Sequence, residues 1–281
     1  MSKYLIINAD DFGYNNQQNS AIIELLEKNL ITSTSLLAVA PCAKAAVAYS
    51  KKNNADVGVH LTINSDDENK KWQSLSDVKS FENGLPHNQK DLVFKTKRKD
   101  VRAELEKQYR FITDNGGTVD HADNHCATLY GINGRRFYID AFDFCAEHNL
   151  PYRFPKTSGF LEKQFGRSVP EIVKKYQQMI VRAGEKRGVK MLDDLVSNPW
   201  PMSRIGNLDT LEKYYLNAVD NCVDGITEMF LHPALPIDDA QNQGEWQKRV
   251  LEYRILKSGC LLERAKQKGV TVVSWKVFRC S

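Results

Sequence analysis

Residues 5–13 read LIINADDFG. An apolar run, Leu5-Ile6-Ile7, passes through Asn8-Ala9 into two adjacent carboxylates, Asp10 and Asp11, and Gly13 closes the stretch. A short apolar run bounded by turn residues has the pattern of a fully buried strand. This strand ends in charge. Successive strand side chains point to opposite faces, so Asp10 and Asp11 cannot both point inward from a regular strand. The chain must turn here, and Gly13 helps it to.

Outward from this stretch, short apolar runs alternate with helical patterns. YLIINA (4–9), STSLLAVA (33–40), ADVGVHLTIN (55–64), TVDHAD (118–123), PYRFP (151–155), VKMLD (189–193), ITEMFLHP (226–233) and VTVVSW (270–275) have strand character. Helices are expected over 15–30, 42–53, 98–115, 134–150, 169–187, 208–221 and 245–269. In the first of these, Ile22, Ile23, Leu25, Leu26 and Leu30 mark the packed side. Strand–helix alternation repeated about eight times predicts an irregular (β/α) TIM-like barrel, with a doubly wound open sheet as the alternative. The whole chain, 1–281, reads as one domain, since a barrel commonly runs near this length. The polar, weakly periodic stretch 65–97 stands out as an insertion or active-site loop.

Composition narrows the class. Hydrophobic residues make up 42% of the chain, enough for a large core. A net charge of +4 is too mild to indicate nucleic acid or a membrane surface. The N-terminus lacks the roughly 7–15 apolar residues of a secretory signal. No segment approaches the ~20 apolar residues of a membrane span. The six cysteines, at 42, 126, 145, 222, 260 and 280, form no CxxC pair or metal spacing, and read as reduced thiols. These features predict a cytoplasmic protein.

In either α/β architecture, active groups gather at the carboxyl ends of strands. There the sequence places Asp10 and Asp11, then His60, then His121, Asp123 and His125, then Arg153, then His232. Four of the six histidines fall at such ends, and that clustering is the functional signal. In VGVHLT, His60 shares a face with Gly58 and Thr62. In HADNH, His121, Asp123 and His125 share a face if the segment stays extended. Two adjacent carboxylates repel unless a cation is near. A divalent metal resolves this: one Asp is a ligand, and the other stays ionised beside the ion and acts as a base.

Each residue also has a plainer structural reading. The Asp pair could cap the first helix. A lone strand histidine such as His60 is more often structural than a ligand. His232 before Pro233 fits a turn, and Arg153 a surface charge. The functional case rests on co-location.

Five stretches in this order, INADDFG, VGVHLT, HADNH, PYRFP and TEMFLHP, resemble the YdjC-like carbohydrate deacetylases, over residues 4 to about 275. That resemblance implies an irregular (β/α) barrel with one divalent metal ion held by Asp11, His60 and His125. Asp10 is then the catalytic base. His232 is the acid, or positions the substrate. Arg153 binds substrate or orients Asp10, and His121 and Asp123 are further substrate contacts. The ligand set suits Zn²⁺ or Mg²⁺, with Mn²⁺ or Co²⁺ as alternatives. The implied substrate is an acetylated amino sugar or chito-oligosaccharide, with or without a phosphate, and the implied partner a second copy in a homodimer. Trp200, in the Pro-bounded loop NPWPM, is the preferred sugar platform. The chain departs from the family at one point. Where relatives carry D-S-H-x-H-x-H, it has Asp123-Asn124-His125-Cys126-Ala127-Thr128-Leu129, without the later histidines. Two rival readings remain: a phosphoester hydrolase, favoured by two bridged metals, and a non-catalytic sugar-binding protein, which needs no base beside a metal.

Overall fold

The computed structural model describes residues 2–66, 71–237 and 244–279. Residues 67–70 of the 65–97 stretch, and Cys280, lie outside the described residues. Among those described, nine strands form: β1 (Lys3–Phe12), β2 (Ser33–Leu36), β3 (Asp56–Leu61), β4 (Thr118–Asn124), β5 (Tyr152–Pro155), β6 (Met191–Leu192), β7 (Asp194–Val196), β8 (Gly225–Leu231) and β9 (Thr271–Val272).

The strand order is β6-β5-β4-β3-β2-β1-β8-β7, with β9 beside β1. β1 pairs in parallel with β8 and β9, β3 with β2 and β4, β4 with β5, and β7 with β8. A doubly wound sheet reverses its order at a switch point. Here sequence neighbours are sheet neighbours and the first strand lies beside the eighth, as in a (β/α) barrel. The segment 190–193 bonds to two elements in turn. Tyr152 N donates to Lys190 O and Lys156 N to Leu192 O, both at 2.9 Å, while Asp193 N donates to Ile226 O at 2.9 Å. The expected strand 189–193 is thus two short strands on either side of Asp193, serving β5 and then β8.

Helix starts follow local chemistry. Asn15, not the aspartate pair, caps Asn16–Glu27, its side chain accepting from Gln18 N at 2.9 Å. Asn207 caps Leu208–Asp220 in the same way. The expected helix over 245–269 divides into Glu245–Ser258 and Cys260–Gln267, because Gly259 adopts φ 74°.

The chain divides into two compact units, each drawn from separated segments. One comprises Met1–Thr34, Pro155–Gln178 and Leu192–Ser281; the other comprises Ser35–Phe154 and Met179–Met191. The core of the first holds Ile6, Leu192, Leu195 and Trp275, all fully buried, with Phe278 against them. The second is rich in aromatics: Phe142 meets Tyr138, Tyr152 and Phe154 edge-on at 5.6–6.2 Å.

In the second unit, the described part of the 65–97 stretch is tied down at two points. Ser65 N donates to Pro86 O at 3.0 Å, Ser65 Oγ to Leu85 O at 3.1 Å, and Trp72 N to Ser65 Oγ at 2.8 Å. His87 also bonds Ser65 O at 3.1 Å. The second anchor is Glu104, fully buried on helix Arg98–Asp114. Its carboxylate accepts from Leu75 N at 3.1 Å, Ser76 N at 3.0 Å and Ser76 Oγ at 2.6 Å. A buried carboxylate needs this many donors to offset its lost hydration.

Candidate active site

In the first unit, the end of β1 answers the aspartate question. Asp10 and Asp11 are both buried, at 2% and 0% exposure. Both turn inward because Asp11 adopts φ 68°, a left-handed backbone costing an L-residue about 1–2 kcal/mol and best tolerated by Asp and Asn. Arg249, on helix Glu245–Ser258, donates from Nη1 to Asp11 Oδ2 at 2.8 Å. Asn8 Nδ2 donates to Asp10 Oδ1 at 2.8 Å. His232 Nε2 stands 3.8 Å from Asp10 Oδ2, beyond direct hydrogen bonding.

His232 follows β8, and its backbone N–H donates to Glu252 Oε2 at 2.7 Å. Glu252 lies three residues after Arg249 on the same helix, and its other oxygen accepts from Tyr215 Oη at 2.6 Å. A cavity of about 150 Å³ opens here, lined by Ser197, Asn198, Phe230, His232, Lys248, Arg249, Glu245 and Glu252. Burial, and then the Arg249 guanidinium, lower the pKa of His232 from its ordinary 6.5. Trp200 lies in the same unit, its ring 4.9 Å from that of Tyr214, with the Arg204 guanidinium 4.3 Å over its face. Sequence reasoning missed Arg249 and Glu252, which lie inside a helix with no motif to single them out.

The second unit holds the histidines. His60 on β3 is registered opposite Asp123 on β4. His60 Nδ1 donates to Asp123 Oδ1 at 2.8 Å, with Ser35 Oγ 3.3 Å from the same nitrogen. Asp123 Oδ2 takes Arg153 Nη2 at 2.8 Å. Burial would raise the Asp123 pKa, but Arg153 and then His60 hold it well below the usual carboxylate range. Asp123, His121 and Arg153 are 0%, 0% and 2% exposed, so Arg153 is no surface charge. His121 bonds Asp120 Oδ1 at 2.6 Å, and its ring lies against Gly58.

β4 stays extended through Asn124, but His125 lies outside it and opens the short turn that follows, so the five residues of HADNH do not all share the strand. Cys126 and Ala127 are both left-handed, at φ 52° and 54°. His125 Nε2 bonds Asp66 Oδ1 at 2.6 Å, and its Nδ1 faces His60 Nε2 at 3.2 Å. Trp72 lies over the ring, with centroids 5.5 Å apart.

These contacts place a proton on the outer nitrogen of each ring. With His60 Nδ1–H on Asp123 and His125 Nε2–H on Asp66, the two nitrogens that face each other either share a proton, if one ring is an imidazolium, or both offer lone pairs to a metal ion, if both rings are neutral. An imidazole whose outer N–H rests on a carboxylate is the usual form of a metal-binding histidine. Among the described residues, buried Asp and His side chains form groups that can hold a metal ion. A larger cavity, about 410 Å³ within residues 71–97, is lined by none of these groups.

The described cysteines are free thiols; Cys145 and Cys222 are buried and Cys126 is exposed. No helix of the described residues is long and apolar enough to cross a membrane.

Comparison with known proteins agrees with this architecture. A carbohydrate deacetylase of Thermoanaerobacter pseudethanolicus is 25% identical over 99% of this chain and 100% of its own length. A carbohydrate deacetylase of Geobacillus stearothermophilus is 25% identical over 99% of each chain. A crystal structure from Enterococcus faecalis, described as a cellobiose-phosphate cleavage protein, superposes with a TM-score of 0.76 at 23% identity over 99% of both chains, and so shares the fold. Residues 4–267 match the YdjC-like protein family, and the chain belongs to that family.

Proposed function

We propose that this protein is a metal-dependent hydrolase that removes the N-acetyl group from an acetylated amino sugar or chito-oligosaccharide. Full-length similarity to proteins named carbohydrate deacetylase supports the chemistry. The observation that carries it is the histidine pair, whose outer nitrogens rest on carboxylates and whose inner nitrogens face each other at 3.2 Å.

A divalent ion, Zn²⁺ or Mg²⁺ with Mn²⁺ or Co²⁺ as alternatives, would be held by Asp11, His60 and His125, each buried and each offering one ligand atom. Such an ion supplies Lewis-acid activation of water and of an amide carbonyl. The protein's own groups do the rest. Asp10, held through its Oδ1 by Asn8, takes a proton from the attacking water. Oxygen adds to the acetamide carbon, the C–N bond breaks, and His232 gives a proton to the departing nitrogen. Acetate and an amino sugar result. Its lowered pKa makes the His232 imidazolium a stronger acid but the minor form at neutral pH. Arg153 and Asp123 keep His60 oriented; with His121 they are the proposed substrate contacts, and Trp200 offers its ring to the sugar. The whole chain acts as one catalytic domain. A cytoplasmic location and a homodimer belong to the same proposal, the latter readable by sedimentation.

The test is acetate release from N,N'-diacetylchitobiose and its 6-phosphate, with chelator or with each metal added back. Release should depend on metal, and comparison of the two substrates shows whether a phosphate matters. Asp10→Asn should lower kcat by about 10²–10⁴ with the metal retained. Full activity in that variant removes Asp10 from its role. No release by metal-loaded protein from these or other N-acetyl sugars sinks the reading.

A further inference from the structure

We propose that Asp66 is a positioning residue for His125 in the metal site. The inference rests on the metal-dependent reading above. Asp66 follows Ser65, and its Oδ1 is 2.6 Å from His125 Nε2. This contact puts a proton on Nε2, so that the neutral ring turns its lone pair on Nδ1 toward His60 Nε2, 3.2 Å away. The two histidines are therefore held alike, each by a carboxylate on the nitrogen away from its neighbour.

The two carboxylates differ in where they come from. Asp123 is fully buried in β4 and locked by Arg153. The Asp66 side chain is 28% exposed, and its place is set by Ser65 beside it. Ser65 is bonded to Pro86 O, Leu85 O and Trp72 N. Trp72 in turn lies against the His125 ring, so the same knot of loop supplies both a carboxylate and a wall. His125 needs such support. It opens a turn in which the next two residues are left-handed, and Thr128 N at 3.3 Å and Oγ1 at 3.1 Å donate to its carbonyl.

The experiment compares Zn²⁺ affinity, by competition with a chromophoric chelator, for the full-length protein, Asp66→Ala and Asp66→Asn. Circular dichroism confirms that each is folded. Asp66→Ala should bind Zn²⁺ about 10–100-fold more weakly. Asp66→Asn, which keeps the acceptor oxygen without the charge, should fall between. Acetate release by Asp66→Ala should recover as Zn²⁺ is raised, with KM for the sugar unchanged. Unchanged Zn²⁺ affinity in Asp66→Ala overturns the inference alone. So does lost activity that added metal does not restore, which marks a structural role. A wild-type protein that takes up no metal overturns the inference together with the reading beneath it. Zn²⁺ binding without deacetylation by the wild type, with the affinity loss in Asp66→Ala intact, sinks only the assigned reaction.

Discussion

At the scale of single residues, two backbone choices shape the site. Asp11 takes a left-handed φ so that consecutive carboxylates both turn inward, and Arg249 supplies a positive charge beside them. Gly58 makes the opposite kind of accommodation. A Cβ there would stand 2.2 Å from His121 Nε2, closer than any real contact. The β3–β4 register shifts between Val57 and Gly58, which lets the His121 ring lie across the glycine. Gly58→Ala must push aside a fully buried ring that is bonded to Asp120. Stability should fall by about 1–3 kcal/mol, the usual range for overpacking. Urea unfolding measures this, and an unchanged midpoint would show that the ring has room to move. His232 gives a pH prediction. Its native pKa is lowered from 6.5, so below that pH the unfolded chain binds the proton more readily than the native one. Native stability should therefore drop as the pH falls below 6.5, and His232→Gln should flatten that part of the curve. An identical curve for the variant removes His232 from this titration.

At the scale of elements, alternation of apolar runs and helical periods made most strands and helices legible, because each buries one recognisable face. The failures have physical causes. β7 is only Asp194–Val196, too short for a period, and its identity comes from pairing with β8. The candidate residues Asp10, Asp11, His60, His125 and His232 were legible because they stand at or near strand ends. Arg249 and Asp66 were not, since one lies inside a helix and the other in a polar loop. Glu104 was equally silent, a charged residue within a charged helix until its loop partners are seen. Glu104→Ala would leave the amides of Leu75 and Ser76 without their acceptor. Hydrogen bonds to a charged group are worth about 1.5–3 kcal/mol each way they are measured, so a loss of that order is expected. Amide exchange at Leu75 and Ser76 should quicken more than exchange in β3. Equal exchange would mean that other contacts hold the loop. Glu24 works on the surface instead. Lys28, then Tyr253 and Lys257, lower its pKa from 4.5 to about 2, joining helices Asn16–Glu27 and Glu245–Ser258. Because the native pKa is depressed, this contribution is present above pH 4.5 and lost as the pH falls through 2. Partial exposure keeps it below about 1 kcal/mol. Glu24→Gln should thus destabilise slightly at pH 7 and not at pH 2, a difference that paired urea titrations at the two pH values resolve.

At the scale of the molecule, the proposed ligands come from widely separated parts of the chain: Asp11 in β1, His60 in β3 and His125 just after β4. Only the folded chain can offer all three to one ion, so an ion that binds there favours folding by mass action. The gain is RT ln(1 + [M]/Kd), about 2.7 kcal/mol when the free metal is a hundred times its dissociation constant. For a chain of this size that corresponds to a rise in Tm of about 5 °C. The rise should grow by an equal step with each further tenfold increase in metal, since the dependence is logarithmic. Chelator should abolish it. His60→Gln should remove it as well, because the amide is a poor substitute for an imidazole lone pair. Lys257→Ala, far from any candidate ligand in sequence and role, should leave it intact while lowering Tm in the presence and absence of metal alike. Calorimetric scans at stepped metal concentrations read all of this without any substrate. A melting curve indifferent to metal and to chelator would count against a folded-state ion site, whatever the sugar turns out to be.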